Sequence, residues 1–252
     1  NLPIRNRKYV IVLKGDFILT KRVDLVDYVK LVIDGYVKLA DDANEHMFNI
    51  EDVSHVEICG GVIDGNKANQ TATGLMGILI RGTTTSDVWI HDIEIKNCVH
   101  SGVRSIGSDA SIRFKNVIIS RVVSHDHGYD GIYAACLEKG LVAECIAYGN
   151  GRHGISGDYN LDTQVVGCIA YDNGRHGIDF EVGDRVSIVG CISRDNGYSG
   201  IQLLKTSRCV VIACIAMNNA LSASASGIIV QGDSTTTLYY GVVVGNYVDK
   251  AT

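Results

Sequence analysis

The sequence predicts an all-β protein, a right-handed parallel β-helix in which a single chain winds about 23 residues per coil with three strands per coil. Three observations carry this. Cys145, Cys168, Cys191 and Cys214 follow one another at intervals of 23 residues. Aligned on that interval, the units CIAYGNGRHGISGDYNLDTQVVG, CIAYDNGRHGIDFEVGDRVSIVG and CISRDNGYSGIQLLKTSRCVVIA stack without a gap, preceded by VVSHDHGYDGIYAACLEKGLVAE from Val122. Each unit holds three short runs of Ile, Val, Tyr and Cys between Asn-Gly or Gly-Asp turn signals, with no 3.6-residue periodicity. Such a unit cannot bury its own apolar side, so each strand must pair in parallel with its counterpart one coil along.

The elements follow from the register. Ile132, Ile155, Ile178 and Ile201 form one inward aliphatic stack, and the four repeat cysteines form a second. The cysteines read as small buried hydrophobes in reduced form, although coils this close would bring Cα atoms within disulfide range. Asn150, Asn173, Asn196 and Asn219 share the turn slot before the glycine, where Asn tolerates a left-handed backbone and can bond its neighbours in a ladder. Upstream the register loosens: Gly77-Ile78 and Gly102-Val103 fill the Gly-Ile slot at separations of 25 and then 29 residues, as turn insertions would produce. Residues 1–252 read as one domain lacking its own N-terminal cap, because no amphipathic helix covers the open strand ends; these ends invite self-association.

Composition bounds the partners. In 252 residues, 46% hydrophobic and 20% charged content with 28 Gly and 1 Pro excludes disorder and collagen. A net charge of -5 lacks the basic footprint of nucleic-acid binding, and no apolar run approaches the roughly 20 residues that span a bilayer. No Cys-x-x-Cys or Cys/His spacing suggests zinc, and phosphate loops, GxSxG elbows and HExxH helices are missing. Trp89, His55 and His91 read as packing or surface residues, and Tyr148 and Tyr171 as a stacked pair.

Chemistry in a solenoid sits where outward residues of successive coils form a row, and the Gly-Ile strand is the candidate. Alternation turns Ile inward and sends outward the residue before the glycine and those two and four after it. These are Asp130 and Tyr133; His153, Ser156 and Asp158; His176, Asp179 and Glu181; Ser199 and Gln202, with Arg152 and Arg175 flanking the histidines. Carboxylates, imidazoles and guanidinium groups in neighbouring rows suit an extended glycan: Arg pairs with uronate carboxylates, and His and Asp serve as base and acid. The competing reading is a solvated sheet face, and the identical Arg-His pairs are what duplication alone would copy. Close carboxylates also raise a pKa or recruit calcium, the one cofactor candidate.

The run SHDHGYDGIYA, AYGNGRHGIS, AYDNGRHGID, SRDNGYSGIQ resembles the repeats of the pectate-lyase-like superfamily and is particularly similar to the catalytic module of the mannuronan C5-epimerases, over roughly residues 120 to 205. That resemblance implies a substrate groove lined by Asp130, Arg152 and His153. Two departures stand out. Where the family carries YGFDPHE, with a catalytic Tyr and His, this chain has SGVRSIG from Ser101 to Gly107, and Ala135 replaces an expected groove Asp.

The expected function is therefore action on a polysaccharide, an acidic one for preference, by β-elimination or C5 epimerisation. His153 or Tyr133 would be base or acid, Arg152 or Arg175 would neutralise the carboxylate, and Asp130, Asp179 and Glu181 would act electrostatically or bind calcium; Tyr133, His153, His176 or Arg104 would substitute for the missing catalytic Tyr and His in a different lyase or hydrolase arrangement. His176, Asp158 and Gln202 complete the substrate-binding set. A glycoside hydrolase using two carboxylates is a close variant. The rival is a noncatalytic structural or adhesive β-helix of a cell surface, appendage or tail fibre, which binds glycan or self-assembles. Either reading implies an extracellular or cell-surface setting.

Overall fold

A computed structural model describes residues 9–107, 111–219, 227–232 and 241–250, and among these the chain forms strands and a single 3-10 turn at Lys67–Asn69, with no α-helix. All pairings are parallel. The fold is the right-handed parallel β-helix that the repeat predicts. In the regular coils three strands recur, as in Ile155–Asp158, Gln164–Val166 and Ile169–Tyr171. Further upstream the second and third strands fuse into one long element, at Val29–Leu39, Ser86–Lys96 and Phe114–His125.

The Gly-Ile strands build a nine-stranded sheet. Its register runs Ile78↔Val103↔Ile132↔Ile155↔Ile178↔Ile201, so the slots aligned across the irregular spacings of 25 and 29 residues are true neighbours. From Ile78 to Ile201 every residue of that ladder is fully buried. The four repeat cysteines are equally buried, and all eight cysteines are free thiols. The Cys168 Sγ lies 3.5 Å from the carbonyl oxygens of both Val142 and Val166. Such a slot accepts a small side chain with a weak donor.

The asparagine ladder is continuous. Asn150 Nδ2 donates to Asn173 Oδ1 at 2.9 Å, Asn173 to Asn196 at 2.9 Å, and Asn196 to Asn219 at 2.8 Å. Each oxygen also accepts the backbone N–H of the asparagine in the coil before it. One expectation fails here: the left-handed residue is the one ahead of the asparagine. Gly149, Asp172, Asp195 and Asn218 carry φ between 49° and 63°, which frees the asparagines to turn inward.

At the two ends of the described stack, apolar strands meet solvent. Tyr9–Leu19 exposes Val10, Ile11, Val12 and Ile18, and Gly241–Val244 exposes three valines.

Candidate groove on the nine-stranded sheet

Three ladders converge where the turn enters the Gly-Ile strand. The first contains His100, Tyr129, Arg152, Arg175 and Tyr198, linked by backbone bonds from each N–H to the carbonyl before it at 2.7–3.0 Å. Ser101, Asp130, His153, His176 and Ser199 occupy the adjoining slot, just before the glycine. On the strand itself stand Arg104, Tyr133, Ser156, Asp179 and Gln202, in register. Asp158 and Glu181 are paired one step further along.

These side chains interlock across coils. The Tyr133 hydroxyl donates to Asp158 Oδ2, and the Arg104 guanidinium lies 4.2 Å over the Tyr133 ring. Asp130 Oδ1 accepts the His153 backbone N–H at 3.1 Å, while its other oxygen is 3.9 Å from Arg152 Nη1. His153 Nδ1 lies 3.5 Å from Asp179 Oδ2, and Gln202 Nε2 donates to Asp179 Oδ1 at 3.0 Å. The His153 and His176 rings stack at 5.2 Å, and His176 Nδ1 accepts the Ser199 backbone N–H at 3.1 Å. Arg152 covers Tyr129 at 4.8 Å, and Tyr129 packs on His100 at 4.2 Å.

The alternation argument places these residues off the apolar core, yet five of the twelve, Asp130, His153, Ser156, Asp179 and Ser199, are buried. Asp130 is 0% exposed, His153 2% and Asp179 4%. Arg175 is the exception among the predicted set: it is exposed, and its side chain joins none of these contacts.

Burial without full pairing sets the electrostatics. Desolvation lifts Asp130 to about 6 and, helped by repulsion from Glu181, Asp179 to about 7. It drives His153 far below its ordinary range, with Arg152 adding to the effect, and takes His176 to about 4. Tyr133 is pushed up by burial and by its bond to Asp158, and burial also raises Glu181.

Seven of the ten buried side-chain nitrogen and oxygen atoms without a hydrogen-bond partner among the described residues lie here. They are Arg104 Nε and Nη1, Arg152 Nε, Asp130 Oδ2, both ring nitrogens of His153, and Ser156 Oγ. The 3.5 Å approach of His153 to Asp179 is close enough for charge interaction but not aligned as a hydrogen bond. Native interiors satisfy nearly all such atoms, so this cluster of exceptions makes the groove the candidate site.

The calcium expectation fits this donor set poorly. The tight constellation is His153, His176 and Asp179, with ligand atoms within 4.8 Å of one another, two imidazoles and one carboxylate where calcium takes six or more oxygens. His100 and Tyr129 escaped the sequence reading. They sit in the same slot as Arg152: the 29-residue step from His100 to Tyr129 breaks the 23-residue count for His100, whereas Tyr129 keeps that count and was missed because only the arginines of this slot were considered.

Solved structures with this shape act in different settings. The A-module of the mannuronan C-5 epimerase AlgE4 of Azotobacter vinelandii superposes with a TM-score of 0.74 at 19% identity, covering 94% of this chain and 79% of that one. The pectate lyase Pel9A gives 0.62 at 13% identity, over 88% and 70% of the two chains. The Dettilon tailspike protein gives 0.61 at 15% identity; 94% of this chain matches 56% of that one. No curated protein sequence matches the chain. The family described as "Right handed beta helix region" matches residues 76–243, two-thirds of the sequence, and the chain belongs to that family.

Proposed function

We propose that the groove binds an acidic polysaccharide and removes the C5 proton of a uronate unit, leading to β-elimination or epimerisation. The observation that carries this is the pair of half-buried cations with buried, unused donor nitrogens, Arg104 and Arg152, which stand in the ladders on either side of His153 and its unpartnered ring nitrogens. Structural neighbours that include a mannuronan epimerase and a pectate lyase support the choice of polymer.

The chemistry follows from the geometry. Arg104 and Arg152 take the uronate carboxylate and stabilise the enolate that forms when C5 loses its proton. Neutral His153 accepts that proton on a free ring nitrogen, and ionised Asp179, 3.5 Å away, stabilises the imidazolium that results. Tyr133, kept protonated by its environment, is the acid. It either protonates the oxygen leaving C4, which creates an unsaturated end, or returns a proton to C5 from the other face. Asp130 orients His153 through the backbone contact, and Glu181, Gln202, His176 and Asp158 line the path of the chain. Such polymers are met outside the cytoplasm, and no helix among the described residues is long and apolar enough to cross a membrane.

Proton NMR of alginate, polygalacturonate and a neutral glucan after incubation with the protein tests the reading, with and without calcium. New unsaturated-end or altered uronate signals, lost in His153→Ala and Arg152→Ala, are expected. Unchanged spectra together with retained binding of the polymer would replace it with a glycan-binding β-helix.

A further inference from the structure

On a different face of the solenoid, three ligating side chains meet that sequence spacing does not connect. Glu57 and Cys59 lie on Ser54–Cys59, and His91 lies on Ser86–Lys96, directly across from Cys59 in the parallel register. Their ligand atoms lie within 4.8 Å of one another, and the three residues are 1%, 7% and 7% exposed. The cluster shares no residue with the groove described above.

His91 supplies the decisive geometry. Its Nδ1 is 2.5 Å from Asp92 Oδ2 and its Nε2 is 3.0 Å from Glu57 Oε1, so both ring nitrogens face carboxylate oxygens. A neutral imidazole carries one N–H and serves one of these contacts. The surrounding charges are already matched: Lys30 Nζ lies 2.8 Å from Glu57 Oε1, and Arg121 grips Asp92 with two bonds of 2.6 and 2.9 Å. A second ring proton is therefore not needed to balance the site. With Nδ1–H donated to Asp92, the Nε2 lone pair points at the Glu57 carboxylate, and between two electron-pair donors the natural occupant is a cation. The Cys59 thiol donates to the same Glu57 oxygen at 3.8 Å, and its sulfur, once that proton is lost, is a third ligand atom at that point.

We propose that Glu57, Cys59 and His91 form a binding site for a divalent transition metal of the zinc class. The donor set of nitrogen, sulfur and oxygen is that of zinc rather than of calcium or magnesium. Asp92 holds the His91 ring by Nδ1 and is itself fixed by Arg121, the supporting arrangement that sets tautomer and orientation at zinc-bound histidines. A tetrahedral shell spaces its donors about 3–4 Å apart, so the three side chains close by modest rotations around the ion. Metal entry displaces Lys30 from Glu57 and releases the Cys59 thiol proton, which makes binding stronger at higher pH. A fourth position is left for water or an added ligand.

Cobalt(II) is the probe, because a thiolate ligand gives it a charge-transfer band that carboxylates and imidazoles do not. Titration of the full chain is expected to show one cobalt with that band and the visible absorption of tetrahedral coordination, and zinc should displace it. Cys59→Ser abolishes the charge-transfer band, whereas Cys98→Ser retains it. Asp92→Asn weakens zinc by about 10–100-fold in competition with a chromophoric chelator. Lys30→Gln removes the competing ammonium and should tighten binding, a gain that a misfolded variant cannot imitate. Absence of the band in the parent protein overturns the proposal. So does a band indifferent to Cys59→Ser, or metal binding without the band that is lost in Asp179→Asn, which would place the ion in the groove.

Discussion

Asp179 Oδ2 lies 3.5 Å from His153 Nδ1 while Gln202 holds the opposite oxygen of the same carboxylate at 3.0 Å. A carboxyl group with one good hydrogen bond and almost no solvent is stable as the acid and strained as the anion, and two pH responses follow from that.

The first is in stability. Asp179 titrates at about 7 in the folded chain, against an ordinary value near 3.8. A folded-state pKa raised in this way gives stability that is complete below the unfolded value and is lost as pH rises through about 7. Asp179→Asn, which keeps an acceptor for Gln202, is expected to match the parent near pH 4 and to exceed it at pH 8 by up to about 4 kcal/mol, because each tenfold change in a proton-binding constant corresponds to roughly 1.4 kcal/mol. His153 imposes the opposite slope, since its lowered pKa favours folding above the unfolded value and loses that advantage as pH falls. Urea unfolding of both proteins at the two pH values isolates the Asp179 part; an equal difference at pH 4 and 8 contradicts it.

The second response is in activity. If His153 is the base and ionised Asp179 stabilises its protonated form, turnover on a uronate polymer rises with pH along an ionisation near 7. In Asp179→Asn that ascending limb should vanish, with kcat reduced by an order of magnitude or more and KM little changed. A profile that keeps its limb would assign the ionisation to another group, Asp130 being the next candidate at about 6.

Arg104 and Arg152 present forked donors, so lysine should not replace them. On the proposed substrate, Arg104→Lys is expected to lose at least tenfold in kcat/KM while unfolding at the parent's denaturant concentration. A neutral glucan should be bound equally by both.

The asparagine ladder predicts a purely structural defect. Asn196 Oδ1 accepts from both the backbone and side chain of Asn173, and its Nδ2 donates to the Ala170 carbonyl at 3.2 Å and to Ser193 at 3.0 Å. Asn196→Ala leaves these buried groups unpaired and should cost about 2–4 kcal/mol. Asp195→Ala, at the adjacent residue of the same turn, should cost less, and calorimetry of the two variants orders them.

Much of this architecture can be read from residues 122–219, where identical spacing makes each alignment a statement about which atoms touch. Ile132, Ile155, Ile178 and Ile201 are neighbours in the core because parallel pairing keeps equal positions equal. The same rule places His153 beside Asp130 and Asp179 beside Ser156. It says nothing of depth: Asp130 is outward by alternation and yet fully buried. Nor does a period survive insertion, which is why His100, 29 residues before Tyr129, went unseen. Cys59 and His91 show the same limit, being 32 residues apart in sequence and directly opposed in register.

Exposure is likewise a poor guide to tolerance. Gly174 is exposed, but a Cβ there would stand 3.0 Å from the Gly151 carbonyl carbon and closer still to its oxygen. Gly174→Ala is expected to force adjacent coils apart and to lower the melting temperature far more than Gly190→Ala, whose Cβ meets nothing within 4 Å and whose φ of 63° carries the only penalty.

The unbroken chain of amides from Asn150 to Asn219 also has a mechanical meaning. Along this segment each asparagine bonds to its neighbours in the adjoining coils, so under a force along the axis a terminal coil, held on one side only, detaches while the remainder stays intact. Stretched between its ends, the regular segment should yield in discrete steps, each releasing 23 residues and lengthening the molecule by roughly 70–80 Å.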